Sequence, residues 1–95
     1  MKKAVIIEDE KAVCNALITA LKEAEPDVQI EATLSSVKES IDYFMQQPDT
    51  DIILSDVQLT DGLSFSIFKE LDINAPIIFI TGYDKFMMNA FEYNS

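Results

Sequence analysis

Three short apolar runs in this chain end on residues that can hold a metal ion or a phosphate. Ala4-Val5-Ile6-Ile7 runs into Glu8-Asp9-Glu10, Ile52-Ile53-Leu54 into Ser55-Asp56, and Ile77-Ile78-Phe79-Ile80 into Thr81-Gly82. Each feature has an ordinary local reading. Asp9 can cap a helix, Asp56 can form a turn, and Thr81 can cap a helix or end a strand. Those readings explain poorly why Glu8, Asp9 and Asp56 should converge. Three neighbouring carboxylates repel one another, and a hard divalent cation is the simplest relief. Mg²⁺ typically takes one or two carboxylates together with waters and a phosphate. A carboxylate beside Mg²⁺, with a hydroxyl nearby, is equipped to accept a phosphoryl group, because that transfer needs mainly positioning and charge neutralisation.

Convergence depends on the elements that carry these residues. Ala4–Ile7 is apolar at every position, as in a strand covered on both faces. Val13, Leu17, Ala20, Leu21 and Ala24 then recur at helical spacing, with Asp9 as the expected cap, Glu10 at the positive end and Glu25-Pro26-Asp27 as the stop. Val28 to Thr33 alternates as a second strand. Ser36-Val37-Lys38-Glu39 has capping-box spacing and opens a helix with a stripe of Val37, Ile41, Phe44 and Met45. Ile52–Leu54 is a third strand, followed by a loop with Asp61-Gly62 and a short helix carrying Phe65, Phe68 and Leu71. Ile77–Ile80 is a fourth strand, and Phe86, Met87, Ala90 and Phe91 mark a fourth helix from Asp84 onward. The order βαβαβαβα predicts an α/β fold, a parallel sheet with helices on both faces. In such sheets the site lies at the carboxyl ends of the strands, where these acids stand.

Composition narrows the chemistry. Ninety-five residues make one small domain, and 48% apolar with 25% charged residues is the globular range. The absence of histidine removes imidazole metal sites and histidine triads. A net charge of −10 argues against direct nucleic-acid binding, which needs a basic footprint. No glycine-rich phosphate loop is present, and Glu8-Asp9-Glu10 stands where a nucleotide fold would place glycines. A paired-carboxylate glycosidase would lack wall for a sugar cleft. Cys14 has no histidine to activate it and reads as core filler, and one cysteine cannot form an internal disulfide. No apolar run approaches a membrane span and the amino end is no signal peptide, so the expected compartment is the cytoplasm.

The segments Val5–Glu10, Ile53–Gly62 and Pro76–Gly82 together resemble the receiver domains of two-component response regulators, over residues 1–95. Asp56-Val57-Gln58-Leu59-Thr60-Asp61-Gly62 and Ala90-Phe91-Glu92-Tyr93-Asn94-Ser95 look most like the LytTR-type (LytR/AlgR-like) subgroup. The resemblance implies a doubly wound, flavodoxin-like (CheY-like) sheet of order 2-1-3-4. Asp56 would be the phosphoacceptor, supplied by a sensor histidine kinase. Asp9 would ligate Mg²⁺ directly, Glu8 would hold it through water, and the Asp56 carboxylate and the Gln58 backbone carbonyl would be further ligands. Thr81 would hydrogen-bond the phosphoryl group and switch with it, and Gly82 would leave room beside it. The domain would be no ordinary enzyme, at most catalysing its own phosphorylation and dephosphorylation.

The family has a fifth strand, carrying a lysine and an aromatic switch residue, and a fifth helix; the resemblance places them after Ser95. A DNA-binding output domain would follow, through which DNA is contacted and transcription regulated. The expectation for the 95 residues is therefore a C-terminally truncated receiver, with strand four at the sheet edge and self-association through that edge and helix four. The alternative is an inert receiver-like interaction domain in which the acids are only caps.

Overall fold

The computed structural model of the chain describes residues 2–80. Thr81, Gly82 and the expected fourth helix lie outside the described residues. Four strands are long enough to form the main sheet: β1 (Lys3–Ile7), β2 (Gln29–Leu34), β3 (Ile52–Asp56) and β4 (Ile77–Ile80). Three helices connect them: α1 (Lys11–Ala24), α2 (Val37–Phe44) and α3 (Phe65–Glu70). The sheet is parallel, in the order β2-β1-β3-β4, as the resemblance implied. Between β3 and α3 the chain folds into a small antiparallel hairpin, Gln58–Leu59 against Gly62–Leu63, where a plain loop was expected.

Both faces of the sheet are covered, which is why β1 is apolar at successive positions. Val5, Ile7, Leu34 and Ile53 pack on one face with Phe44 of α2, Leu59 of the hairpin and Ile67 of α3. Ile6 and Leu54 pack on the other with Val13, Cys14 and Leu17 of α1. Val5, Ile6, Ile7 and Ile53 are wholly buried, each a contribution of about 1.5–3 kcal/mol from apolar burial. The helices divide α1 against α2 and α3, as right-handed crossovers require in this strand order. In β2 the expected alternation holds: Ile30 and Ala32 are partly buried and Leu34 is buried, while Gln29, Glu31 and Thr33 are exposed.

Several local expectations are corrected. Asp9 does not cap α1: Glu10 is the N-cap residue and makes no side-chain cap hydrogen bond. Ala20 and Ala24 are exposed, because α1 buries only its amino-terminal half strongly, through Val13, Cys14, Ala16 and Leu17. The α2 stripe ends at Phe44; Met45 is 64% exposed because the helix stops there, and Gln47 follows at φ 55°. Ser40 is the buried residue instead, its hydroxyl donating to the Ser36 carbonyl at 2.7 Å. In α3 the core residue is Ile67, and Phe65 is 49% exposed, its ring set edge-on to Phe79 at 4.8 Å. Ile67 is the fully buried position of this six-residue helix, and the expected Phe68 and Leu71 pack partly buried against the same cluster. Among the described residues no helix is long and apolar enough to cross a membrane.

Candidate functional site

β1 and β3 are neighbours, and their register sets Ile7 opposite Ser55. The residues that follow, Glu8 and Asp9 on one chain segment and Asp56 on the other, therefore arrive at the same end of the sheet. The Glu8 N–H donates to the Leu34 carbonyl at 2.8 Å, which extends the β1–β2 ladder and fixes the Glu8 backbone. Asp56 is the last residue of β3 and pairs with Ile80 of β4. Two hydrophobic layers thus hold the acids in place: Ile7 and Ile53 below, α1 and α3 on either side.

The three carboxylates come together. One oxygen from each of Glu8, Asp9 and Asp56 lies within 4.8 Å of the others. Glu8 and Asp56 are each 4% exposed, and Asp9 is half-buried. Backbone donors orient the inner two. The Glu10 N–H donates to Glu8 Oε2 at 3.0 Å, and the Gln58 N–H donates to Asp56 Oδ1 at 3.3 Å. The Ser55 hydroxyl donates to the Asp56 carbonyl at 2.9 Å.

The donor set suits a small hard cation. Two ligands of an octahedral Mg²⁺ stand about 3 Å apart when adjacent and about 4.2 Å when opposite. A triangle of oxygens up to 4.8 Å on a side accommodates that ion when one carboxylate reaches it through a water. Burial of two acids out of three lowers the local dielectric and sharpens both their repulsion and their attraction for a cation. Gln58 sits two residues past Asp56, at the start of the hairpin, with its amide on the Asp56 carboxylate. Thr81 and Gly82 lie outside the described residues; Ile80, which precedes them, is the partner of Asp56 across β3 and β4. The described ion pairs, Lys2–Glu25 at 3.8 Å and Lys3–Asp49 at 3.7 Å, involve residues at the opposite, amino-terminal end of β1.

Sequence reasoning missed one residue beside this site. Asp61 was read only as part of a loop and of the Asp56–Gly62 motif, yet it spans to α2. Asp61 Oδ1 accepts the Val37 N–H at 2.7 Å and Oδ2 accepts the Lys38 N–H at 3.1 Å. These two bonds hold its carboxyl below the usual carboxylate range. The signal available was only Asp before Gly; its partner lies 24 residues earlier and no local pattern links them. The expected capping box is present with one shift. Ser36 Oγ accepts the Glu39 N–H at 3.0 Å, while Glu39 Oε1 accepts the Ser35 N–H at 2.7 Å, one residue before the position a standard box would use. Cys14 is buried in the α1 layer, and burial, then the nearby Glu8 charge, push its thiol pKa up.

No protein-family model matches the chain. Among curated proteins it is 30% identical over 98 residues to the sensory transduction protein LytT of Bacillus cereus, covering 100% of this chain and 39% of that protein. An uncharacterized response regulatory protein of Yersinia pestis is 29% identical over 94 residues, covering 97% of the chain and 39% of that protein. The chain spans about two fifths of the length of these relatives. Among solved structures it superposes on the CheX–CheY–BeF₃–Mg²⁺ complex of Borrelia burgdorferi with a TM-score of 0.72 at 20% identity, covering 92% of this chain and 72% of that one. The PhyR response-regulator REC domain of Erythrobacter litoralis gives 0.71 at 24% identity, covering 86% and 64%. These structures share the fold.

Proposed function

We propose that the chain, a receiver domain of the response-regulator family, accepts a phosphoryl group on Asp56 from a sensor histidine kinase. The observation that carries the reading is the meeting of Glu8, Asp9 and Asp56 at adjacent strand ends, with oxygens within 4.8 Å. In the transfer an Asp56 carboxylate oxygen attacks phosphorus, an acyl phosphate bond forms, and the phosphorus–nitrogen bond of the phosphohistidine breaks. The imidazole nitrogen leaves with the bonding pair and regains a proton. Bound Mg²⁺ supplies neutralisation of the charge gathered on the phosphoryl oxygens. Asp9 would hold that ion directly, Glu8 through water, and the Asp56 carboxylate and the Gln58 backbone carbonyl would complete the protein's share.

The chain's own groups do the positioning. The Gln58 N–H turns the Asp56 carboxylate, and the β1–β3 register keeps Glu8 and Asp9 beside it. Burial of Asp56 excludes the bulk water that would hydrolyse an acyl phosphate. Thr81 then donates its hydroxyl to the phosphoryl group and changes rotamer, which starts the switch. The LytTR-type subgroup fits the LytT relatives, and we assign the domain to a transcription regulator whose DNA-binding output is a separate domain. β4 is the sheet edge among the described residues and carries Ile78 at 47% exposed; we assign self-association of the 95-residue chain to this edge.

The test is intact mass after incubation with a small acyl phosphate. One added phosphoryl group is expected with Mg²⁺ present, none with a chelator, and none in Asp56→Asn. Addition that ignores Mg²⁺ would count against the site as drawn.

A further inference from the structure

We propose that Asp61 is a positioning residue that clamps the hairpin of the phosphoacceptor site to the amino end of α2, so that Mg²⁺ affinity and the order of α2's first turn are coupled. The inference rests on the reading of the site given above, with the Gln58 carbonyl as a metal ligand.

The hairpin is held at three places. At its base the Ser64 N–H and hydroxyl both donate to the Val57 carbonyl, at 2.9 and 3.3 Å. In its middle Leu59 is buried in the core beneath α2 and α3. At its tip the Asp61 carboxylate takes the Val37 and Lys38 N–H groups, one on each oxygen. Gly62 lies against the same helix: at φ +145° it adopts a backbone that side chains rarely reach, and a Cβ there would touch Val37 Cγ2 at 3.8 Å. Gln58 stands in the other arm of this hairpin, with its amide on Asp56. A segment pinned at base, middle and tip moves as one piece. Where its tip sits decides where the Gln58 carbonyl sits.

α2 does not need Asp61 merely to begin. It has its own cap in Ser36, which accepts the Glu39 N–H, and in Glu39, which reaches back to Ser35. The Asp61 bonds are therefore a cross-link between two elements, made by a residue 23 and 24 positions away from its partners. Because coupling free energies are reciprocal, a cation that orders the Gln58 end must also tighten the Asp61 end.

The experiment measures Mg²⁺ affinity of the 95-residue chain by calorimetry, and amide exchange at Val37 and Lys38 with and without Mg²⁺. In the wild type Mg²⁺ slows exchange at both amides. Asp61→Ala weakens Mg²⁺ by about 10-fold, the range seen when groups that orient ligands are removed, and abolishes the exchange response. Asp61→Asn keeps one acceptor oxygen and falls between the two. Ser36→Ala loosens the same helix without touching the hairpin, and its Mg²⁺ affinity stays within about twofold of wild type. Circular dichroism confirms that each variant is folded. Wild-type affinity in Asp61→Ala, or an equal loss in Ser36→Ala, overturns the clamp alone. A wild-type chain that ignores Mg²⁺ altogether overturns the proposed function and the clamp with it.

Discussion

Replacing Asp56 by asparagine should raise the melting temperature of the metal-free protein and abolish its rise with Mg²⁺. The carboxylate oxygens of Glu8, Asp9 and Asp56 lie within 4.8 Å of one another. Two unit charges at that spacing repel by about 3 kcal/mol at an effective dielectric constant of about 20. Asp56 belongs to two of the three pairs. Part of the repulsion is already offset by the N–H groups that Glu8 and Asp56 accept, and by water at half-buried Asp9. The net gain from Asp56→Asn is then about 1–3 kcal/mol. For a domain of this size each kcal/mol moves the midpoint by about 4–8 °C, so the variant should melt at least about 4 °C higher without metal. Mg²⁺ reverses the order. At ten times its dissociation constant, binding stabilises the wild type by about 1.4 kcal/mol, a rise of about 6–11 °C. Thermal melts followed by far-ultraviolet circular dichroism, over a Mg²⁺ series, read both effects. A metal-free Asp56→Asn that melts below wild type, or an equal Mg²⁺ response in both proteins, would refute the reasoning.

Ile53 is wholly buried between β1 and the α3 layer, so Ile53→Ala should cost about 2–5 kcal/mol in a urea titration; a loss below about 1 kcal/mol would mean that this face is not packed as described. Asp61 has a depressed carboxyl, so the stability it contributes is complete above its ordinary value of 3.8 and is lost as pH falls through the lower folded value. The wild-type advantage over Asp61→Asn, read from urea midpoints, should therefore shrink only below about pH 4, and an advantage that is flat across that window contradicts the assignment. Cys14 should react with an alkylating reagent at least about 100-fold more slowly in the folded chain than in urea, since burial and the Glu8 charge keep the thiol protonated. Sedimentation at several concentrations should show self-association that Ile78→Lys at the β4 edge removes; a compact monomer throughout would discard that interface.

The strands and the acids at their ends were legible because both are local signals. Ala4–Ile7 and Ile52–Leu54 are too continuously apolar to be anything but covered strands, and Glu8, Asp9 and Asp56 follow them directly. Parallel pairing then brings those ends together without further information. What escaped the sequence depends on where elements stop and on contacts across the fold. Met45 and Phe65 continue a helical stripe on paper, but α2 ends before Met45 and α3 is too short to turn Phe65 inward. Asp9 has the chemistry of a cap, yet the helix begins one residue too late for it. Asp61 looks like a turn residue because its partners, Val37 and Lys38, lie on a helix that the local pattern does not connect to it. The hairpin of Gln58–Leu59 with Gly62–Leu63 was likewise hidden, since two-residue strands leave no periodicity to read.

The central claim is that Asp56 carries the phosphoryl group and that the acidic cluster, loaded with Mg²⁺, makes it do so. Borohydride reduces an aspartyl phosphate to homoserine, which marks the acceptor permanently. The direct measurement treats the chain with a small acyl phosphate and Mg²⁺, traps with borohydride, and maps the peptides by mass. Homoserine at position 56, lost with a chelator and in Asp9→Asn, is the predicted result. Homoserine at another carboxylate, or an unmodified Asp56 under full Mg²⁺, would contradict it.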